Sequence, residues 1–173
     1  MNRRSPSYQL LSSHMIRRER LYATLEGDFV VFLVGMRINA WWKIHKWWPV
    51  AQAMPLMLKE LKEQPELGML GGELWGGRTT ILVQYWRSKE HLLAYAKNKE
   101  AQHLPAWKAF NTKVGTSGDV GIWHETYLIS KGGYENIYGN MPPFGLGKVG
   151  TLHPATGGGV SARDRFKAEG KPT

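Results

Sequence analysis

The sequence predicts an α+β fold with a ferredoxin-like β-α-β-β-α-β order of elements and a four-stranded antiparallel sheet. Three observations predict it. Residues 28–39 and 78–86 are apolar runs with the length and β-branched content of strands. An amphipathic helical pattern follows each of these runs. A Gly-Gly pair separates residues 67–75 from the strand at 78–86, as in a hairpin, and a last strand is predicted at 120–130.

The first predicted strand is apolar on both of its faces. Phe29, Val31 and Leu33 alternate with Val30 and Phe32. Both helices of this fold lie on one side of the sheet, so the other side needs a cover of its own. Leaving it wet would cost roughly 25 cal/mol per Å² of apolar surface. We therefore expect a homodimer, a dimeric α+β barrel in which the helix-free faces pack together.

The helices are justified by spacing and capping. After the segment AWWKIHKWW, the first helix is expected to open at Pro49 or Pro55 and to end near Pro65. Its four neighbouring tryptophans are expected to be core or dimer interface, or the wall of a hydrophobic pocket. Ser88 is a predicted N-cap for the second helix, and a further helical piece is predicted at 101–113.

Composition limits the class of protein. The 173 residues are enough for one domain, and eight of them are tryptophan. The net charge is +9, but residues 1–20 carry +4 and residues 148–173 carry +3, which leaves only +2 for the body. Nucleic-acid-binding domains carry a basic stripe on the folded body, so nucleic acid is not an expected partner. The chain is expected to divide into a basic N-terminal arm (1–27), a ferredoxin-like domain (28–131), an ordered wrapping segment (132–149) and a flexible basic tail (150–173).

The absence of cysteine excludes disulfides and thiolate chemistry and is compatible with a cytoplasmic location. No apolar run follows the N-terminal arginines before Phe29, which argues against a signal peptide. No run approaches the roughly 20 apolar residues of a membrane span. The histidines and acidic residues lack zinc-site spacing, and no dinucleotide or nucleophile-elbow motif is present.

His124 and Glu125 are the first candidates for catalysis, because they interrupt the last apolar strand. A buried histidine can act as a general base near neutral pH, and burial can raise the pKa of a carboxyl group for the same task. Alternation sends the two side chains to opposite faces. The alternative is a structural, hydrogen-bonded pair of residues. Arg37, at the end of the first strand, could neutralise an anionic substrate group or a haem propionate, or form a plain ion pair.

Three segments carry a family resemblance: YWRSKEHLLAYAKNKEAQHLPAWKAFN (85–111), GIWHETYLI (121–129) and YENIYGNMPPFGLGK (134–148). They resemble proteins similar to the monooxygenase of fungal fumagillin biosynthesis, within the antibiotic-biosynthesis-monooxygenase-like dimeric α+β barrels. The resemblance covers roughly residues 28–148 and implies a monooxygenase that oxidises a hydrophobic small organic molecule in a cavity between sheet and helices. It also implies a site role for Trp86, in the W-R-S-x-E-H-L signature.

The resemblance leaves the cofactor open. Some members of the superfamily oxidise electron-rich substrates without a cofactor, which is the favoured expectation, whereas others hold haem through a helical histidine. His103 falls where haem-binding relatives carry that ligand. The alternative function is accordingly a haem or small-ligand binding module, a carrier or sensor. A third hypothesis is a non-catalytic assembly protein whose basic termini bind an acidic partner.

Overall fold

A computed structural model describes residues 15–98, 110–112 and 114–169 of the chain. These residues fall into two compact units, one of residues 30–128 and one that combines the chain up to residue 29 with the chain from residue 129. The strands and helices are β1 (Leu21–Thr24), β2 (Phe29–Ile38), α1 (Ile44–Glu63), β3 (Met69–Trp75), β4 (Ile81–Trp86), α2 (Lys89–Lys97), β5 (Val120–Ile129), α3 (Leu146–Val149), β6 (Thr151–Pro154) and α4 (Ala162–Glu169).

The central unit contains a four-stranded sheet in the order β3-β4-β2-β5. β2 pairs antiparallel with β4, from Val30 opposite Trp86 to Val34 opposite Leu82, and β3 pairs antiparallel with β4. On the other side of β2, the contacts to β5 also run in opposite directions. The Phe32 ring lies beside His124, and the backbone N–H of Asn39 donates to the Asp119 carbonyl. This order is that of a ferredoxin-like sheet, so the predicted α+β fold class is confirmed.

Even-numbered residues of β2 face the helices. Val30 belongs to a first core cluster with Leu61, Trp86, Leu92 and Tyr95. Met36 belongs to a second core cluster, with Phe110, Val114 and Val120, against which Trp47, Val50 and Ala51 of α1 pack. The two clusters lie towards opposite ends of β2. Phe32 and Val34 occupy the part of the helix-facing side between Val30 and Met36.

The expected start of the first helix was wrong. α1 begins at Ile44, and both Pro49 and Pro55 lie inside it. A proline inside a helix typically costs about 3 kcal/mol. Packing offsets this cost, because Trp47 packs on the second core cluster and donates its indole N–H to the Trp41 carbonyl at 2.9 Å. Of the alternatives expected for the tryptophans, burial in the core does not hold for Trp41, Trp42 and Trp48, which are more than half exposed. A dimer interface or a pocket wall stays a prediction for these three.

The remaining elements of this unit follow the sequence more closely. β4 starts three residues later than expected because Thr79 forms an isolated bridge with Arg37. Ser88 is the N-cap of α2, accepting from the backbone N–H of His91 at 3.4 Å. Residues 110–112 are helical, as expected for the helix predicted at 101–113, most of which lies outside the described residues.

The terminal unit pairs β1 with β6 antiparallel, from Leu21 opposite Pro154 to Thr24 opposite Thr151. The Asn136 side chain bonds both backbone groups of Ala23, at 2.7 and 2.9 Å. The fourfold division of the chain stays a prediction. The described residues from 150 onward nevertheless contain β6 and α4, whereas a flexible tail was expected. No described helix is long and apolar enough to cross a membrane.

Candidate functional site

Three side chains form a row across the helix-facing side of the sheet. Gln84 of β4 lies opposite Phe32 of β2, and the Phe32 ring lies 5.8 Å from the His124 ring of β5, centroid to centroid. Two strand spacings separate β4 from β5, so Gln84 and His124 are roughly 10 Å apart across the sheet. A flat molecule resting on Phe32 would therefore have one polar group at each side.

Gln84 is a buried polar residue, only 5% exposed, in the apolar strand ILVQYW. Its Oε1 accepts the indole N–H of Trp86 at 2.9 Å. No described residue accepts from its amide nitrogen. Among the described residues, Trp123 Nε1 is the only side-chain nitrogen or oxygen that is both fully enclosed and unpartnered. The two N–H donors of the Gln84 amide are therefore not used by any described residue.

His124 differs from the buried base expected from the sequence. Its side chain is exposed on β5, the edge strand that also exposes Ile122 and Leu128 on the same face. The exposure of these side chains leaves that end of the row open to solvent. His124 consequently lies between the Phe32 ring and solvent.

Trp86 is fully enclosed, with 0% exposure, in the first core cluster. Its ring lies 5.6 Å from that of Tyr95, whose hydroxyl donates to Glu60 Oε2 at 2.9 Å. Burial raises the pKa of Tyr95 and the bond to Glu60 raises it further. An enclosed ring cannot touch a substrate in this arrangement. Trp86 contributes to the row only through the hydrogen bond that it donates to the Gln84 side-chain oxygen.

The other two catalytic candidates lie on the helix-free side of the sheet. Arg37 is exposed there and donates from Nη1 to Thr79 Oγ1 at 2.7 Å. Glu125 accepts from the Tyr127 hydroxyl at 2.6 Å, and this bond raises the pKa of Tyr127. The structure thus brings Trp86 and His124 to one side of the sheet and Arg37 and Glu125 to the other. A single pocket on either side contains at most two of the four.

Two further histidines have structural explanations or lie elsewhere. His91 bonds Ser88 Oγ through Nδ1 at 2.9 Å and packs beside Gly68, where a Cβ would lie 2.4 Å from the ring. His103, the candidate haem ligand, lies outside the described residues. Within the described part of the chain, no group of three His, Cys, Asp or Glu residues is arranged to hold a metal ion.

Comparison with known proteins adds to this geometry. A family model described as monooxygenase af470-like matches residues 29–146. The chain belongs to the monooxygenase af470-like family. Monooxygenase af470 of Aspergillus fumigatus is 29% identical over 132 residues, which cover 71% of this chain and 46% of that protein. The chain therefore spans less than half the length of this relative.

Two solved structures similar to the chain have low sequence identity. SnoaB from Streptomyces nogalater, described as a cofactor-independent oxygenase, is 12% identical, and the match covers 58% of this chain and 91% of SnoaB with a TM-score of 0.42. A dimeric protein of unknown function and ferredoxin-like fold from Bacteroides fragilis is 11% identical, with 57% and 96% covered and a TM-score of 0.40.

Gln84 is the residue that sequence reasoning missed. The signal was present, because a glutamine interrupts an otherwise apolar and aromatic strand two residues before Trp86. A buried amide requires hydrogen-bond partners, so a polar residue at such a position calls for an explanation. Only the side-chain contact to Trp86 tells which end of the amide is satisfied and which end is open.

Proposed function

We propose that this protein is a monooxygenase that oxidises a hydrophobic, flat organic molecule on the helix-facing side of the sheet. The row of Gln84, Phe32 and His124 is the observation that carries the proposal. A ring of the substrate stacks on Phe32, and an oxygen of the substrate accepts from the open amide of Gln84. His124 lies at the other side of the ring, where it can remove a proton from carbon.

The reaction that fits this row needs no electrons from outside the substrate. His124 takes a proton from an activated CH₂ group, and the negative charge moves to the oxygen that Gln84 holds. The electron-rich substrate then reduces O₂. The CH₂ group becomes a carbonyl with one oxygen atom, and the second oxygen atom leaves as water with the two hydrogens. O₂ is the oxidant and takes up four electrons, all of them from the CH₂ group, so the step balances without an external reductant.

We further propose that the active form is a homodimer. Val31, Leu33 and Val83 lie on the helix-free side of the sheet and are only half-buried within one chain. On the same side, Trp75 of β3 and Tyr127 of β5 are 40% and 48% exposed. A second copy packed on this side would remove these apolar surfaces from water. Arg37 and Glu125 would then contribute to the interface or to a site formed with the partner.

Haem remains an alternative cofactor, and it rests on His103 alone. An absorption spectrum of the purified full chain tests it directly, because bound haem gives a strong Soret band. A band that disappears in the His103→Ala variant would support haem ligation there. A colourless protein that still oxidises its substrate would leave the cofactor-free reaction.

Isotope incorporation tests the proposed activity. The apolar metabolite fraction from cells that lack the gene is incubated with the purified protein under labelled O₂, and the products are analysed by mass spectrometry. We expect a product that has gained one labelled oxygen atom and lost two hydrogens, formed by the wild type and not by His124→Ala. Folded wild-type protein that forms no labelled product from this fraction would contradict the proposal. Analytical ultracentrifugation of the same sample checks the dimer separately.

A further inference from the structure

The start of α1 exposes an unusual amount of apolar surface. Trp41, Trp42, Ile44, Trp48 and Leu56 are 71%, 63%, 58%, 51% and 55% exposed. Single apolar residues on a surface are ordinary, but these five occur within sixteen residues of the chain. The rings of Trp41 and Trp42 are 6.1 Å apart, Ile44 and Trp48 lie one turn apart on α1, and Leu56 follows about two turns further along the helix. We call these five residues the tryptophan patch.

The packing of the central unit does not account for the tryptophan patch. α1 already contacts the second core cluster through Trp47, Val50 and Ala51, and it supplies Leu61 to the first core cluster. The patch therefore lies on a face of the helix that its own unit does not need for burial. A helix that is apolar on a second, outward face requires something to cover that face.

The exposed tryptophans have free donors as well as apolar rings. The indole N–H of Trp47 is bonded to the Trp41 carbonyl, but no described residue accepts from the indole N–H of Trp41, Trp42 or Trp48. Indole rings with one apolar body and one polar end concentrate at the level of lipid headgroups, where the ring is shielded from water and the N–H meets headgroup oxygens. A dry protein interface would leave these donors in need of matching acceptors.

The charge around the patch is mixed and has a positive balance. Residues 40–63 contain Lys43, Lys46, Lys59 and Lys62 against Glu60 and Glu63, a net charge of +2. Lys43 forms an ion pair with Asp119 at 2.8 Å, and Lys59 pairs with Glu63 at 3.8 Å. Lysines beside exposed tryptophans on an amphipathic helix are the pattern of a segment that lies on a membrane surface, where anionic headgroups attract the lysines.

We propose that the tryptophan patch docks this protein on an anionic lipid bilayer, with α1 lying along the surface and the rings of Trp41, Trp42 and Trp48 at headgroup level. Such docking is peripheral and uses no spanning segment. It goes beyond the proposed oxygenase activity and does not depend on it, since the patch lies on the outer face of α1 and not on the Gln84–Phe32–His124 row.

Vesicle binding tests the proposal with the full-length protein. The wild type is mixed with phosphatidylcholine vesicles that contain or lack phosphatidylserine, and bound protein is measured by co-sedimentation and by the shift of tryptophan fluorescence to shorter wavelength. We expect binding that is stronger with phosphatidylserine and weaker at high salt. Each exposed tryptophan changed to alanine should weaken binding by roughly tenfold. Leu93→Ala removes an exposed apolar side chain from α2, outside the patch, and should leave binding unchanged.

Three results would overturn the proposal. The first is a wild type that binds neither kind of vesicle. The second is a combined Trp41→Ala, Trp42→Ala, Trp48→Ala variant with an unchanged circular dichroism spectrum that binds as tightly as the wild type, which would assign membrane binding to the basic termini. The third is self-association that the combined variant abolishes without any vesicle binding by the wild type, which would make a second copy the occupant of the patch.

Discussion

The indole N–H of Trp86 donates to Oε1 of Gln84, two residues earlier on the same strand, at 2.9 Å. Because an indole nitrogen can only donate, this bond identifies the carbonyl end of the Gln84 amide and leaves the NH₂ end facing the other way. A fully buried tryptophan thereby fixes the direction of two hydrogen-bond donors.

Gln84→Glu tests the donor end of the amide separately from the acceptor end. A carboxylate still accepts from Trp86 but cannot donate, so turnover should fall by about 10²–10³-fold if Gln84 stabilises negative charge on the substrate. Burial should raise the pKa of the new carboxyl group, and part of the activity should return at lower pH as it becomes protonated. Steady-state turnover across a pH series measures both effects. Gln52→Glu, on the exposed side of α1, is the matched control. Full activity of Gln84→Glu above neutral pH would show that the amide donates to nothing in the reaction.

His124→Ala should lower turnover by about 10²–10⁴-fold without unfolding the protein, because a positioned general base contributes on that scale. The side chain is exposed, so its loss leaves no cavity in the core. His45→Ala removes an exposed histidine from α1 and should retain wild-type turnover. Equal activity of wild type and His124→Ala, measured by oxygen consumption, would require a different base.

Tyr95 should make stability depend on pH in the alkaline range. Burial, followed by the hydrogen bond to Glu60, raises the pKa of Tyr95 above its ordinary value of 10.0. Above that value the unfolded chain loses the proton and the folded chain keeps it, so the free energy of unfolding should fall as pH rises, and its full value is present below pH 10. Tyr95→Phe should lower the free energy of unfolding by about 1 kcal/mol near neutral pH, because a hydrogen bond is lost. The free energy of unfolding of this variant should fall less steeply above pH 10 than that of the wild type. Urea unfolding at several pH values provides the comparison, and parallel curves for the two proteins would contradict the assignment.

Arg165 should be the most sensitive residue of the terminal unit. It is 6% exposed, pairs with Glu135 and donates from Nη1 to the carbonyls of Gly159 and Val160, both at 2.9 Å. Arg165→Ala leaves a largely buried carboxylate without this cation and should cost roughly 3–5 kcal/mol. Arg163→Ala, an exposed position on the same helix, should cost less than about 0.5 kcal/mol. The free energy of unfolding in urea distinguishes them, and similar losses for both variants would mean that the Arg165 contacts do not stabilise this unit.

Local sequence patterns predicted some elements correctly and failed for others. The β-branched and aromatic run of β2, the Gly-Gly signal before β4 and the serine before α2 are local features, and each gave the correct element type. The start of α1 was mispredicted for a tertiary reason, because the packing of Trp47 on the second core cluster outweighs the local cost of two prolines. The tail from residue 150 contains secondary structure for a similar reason. Its composition is polar and Gly-rich, but β6 finds its partner in β1, more than a hundred residues earlier in the chain.

Some features of the candidate site also follow from the sequence, and others follow only from the tertiary structure. The sequence alone determined the fold class, the family resemblance and the opposite faces of His124 and Glu125, because strand periodicity and helix capping are set by neighbours in the chain. Only the tertiary structure decided that Gln84, Phe32 and His124 share one row, that Trp86 is buried and that Trp41, Trp42 and Trp48 are exposed. The physical reason is that strand order and packing bring together residues distant in sequence, and no local pattern encodes which of them meet.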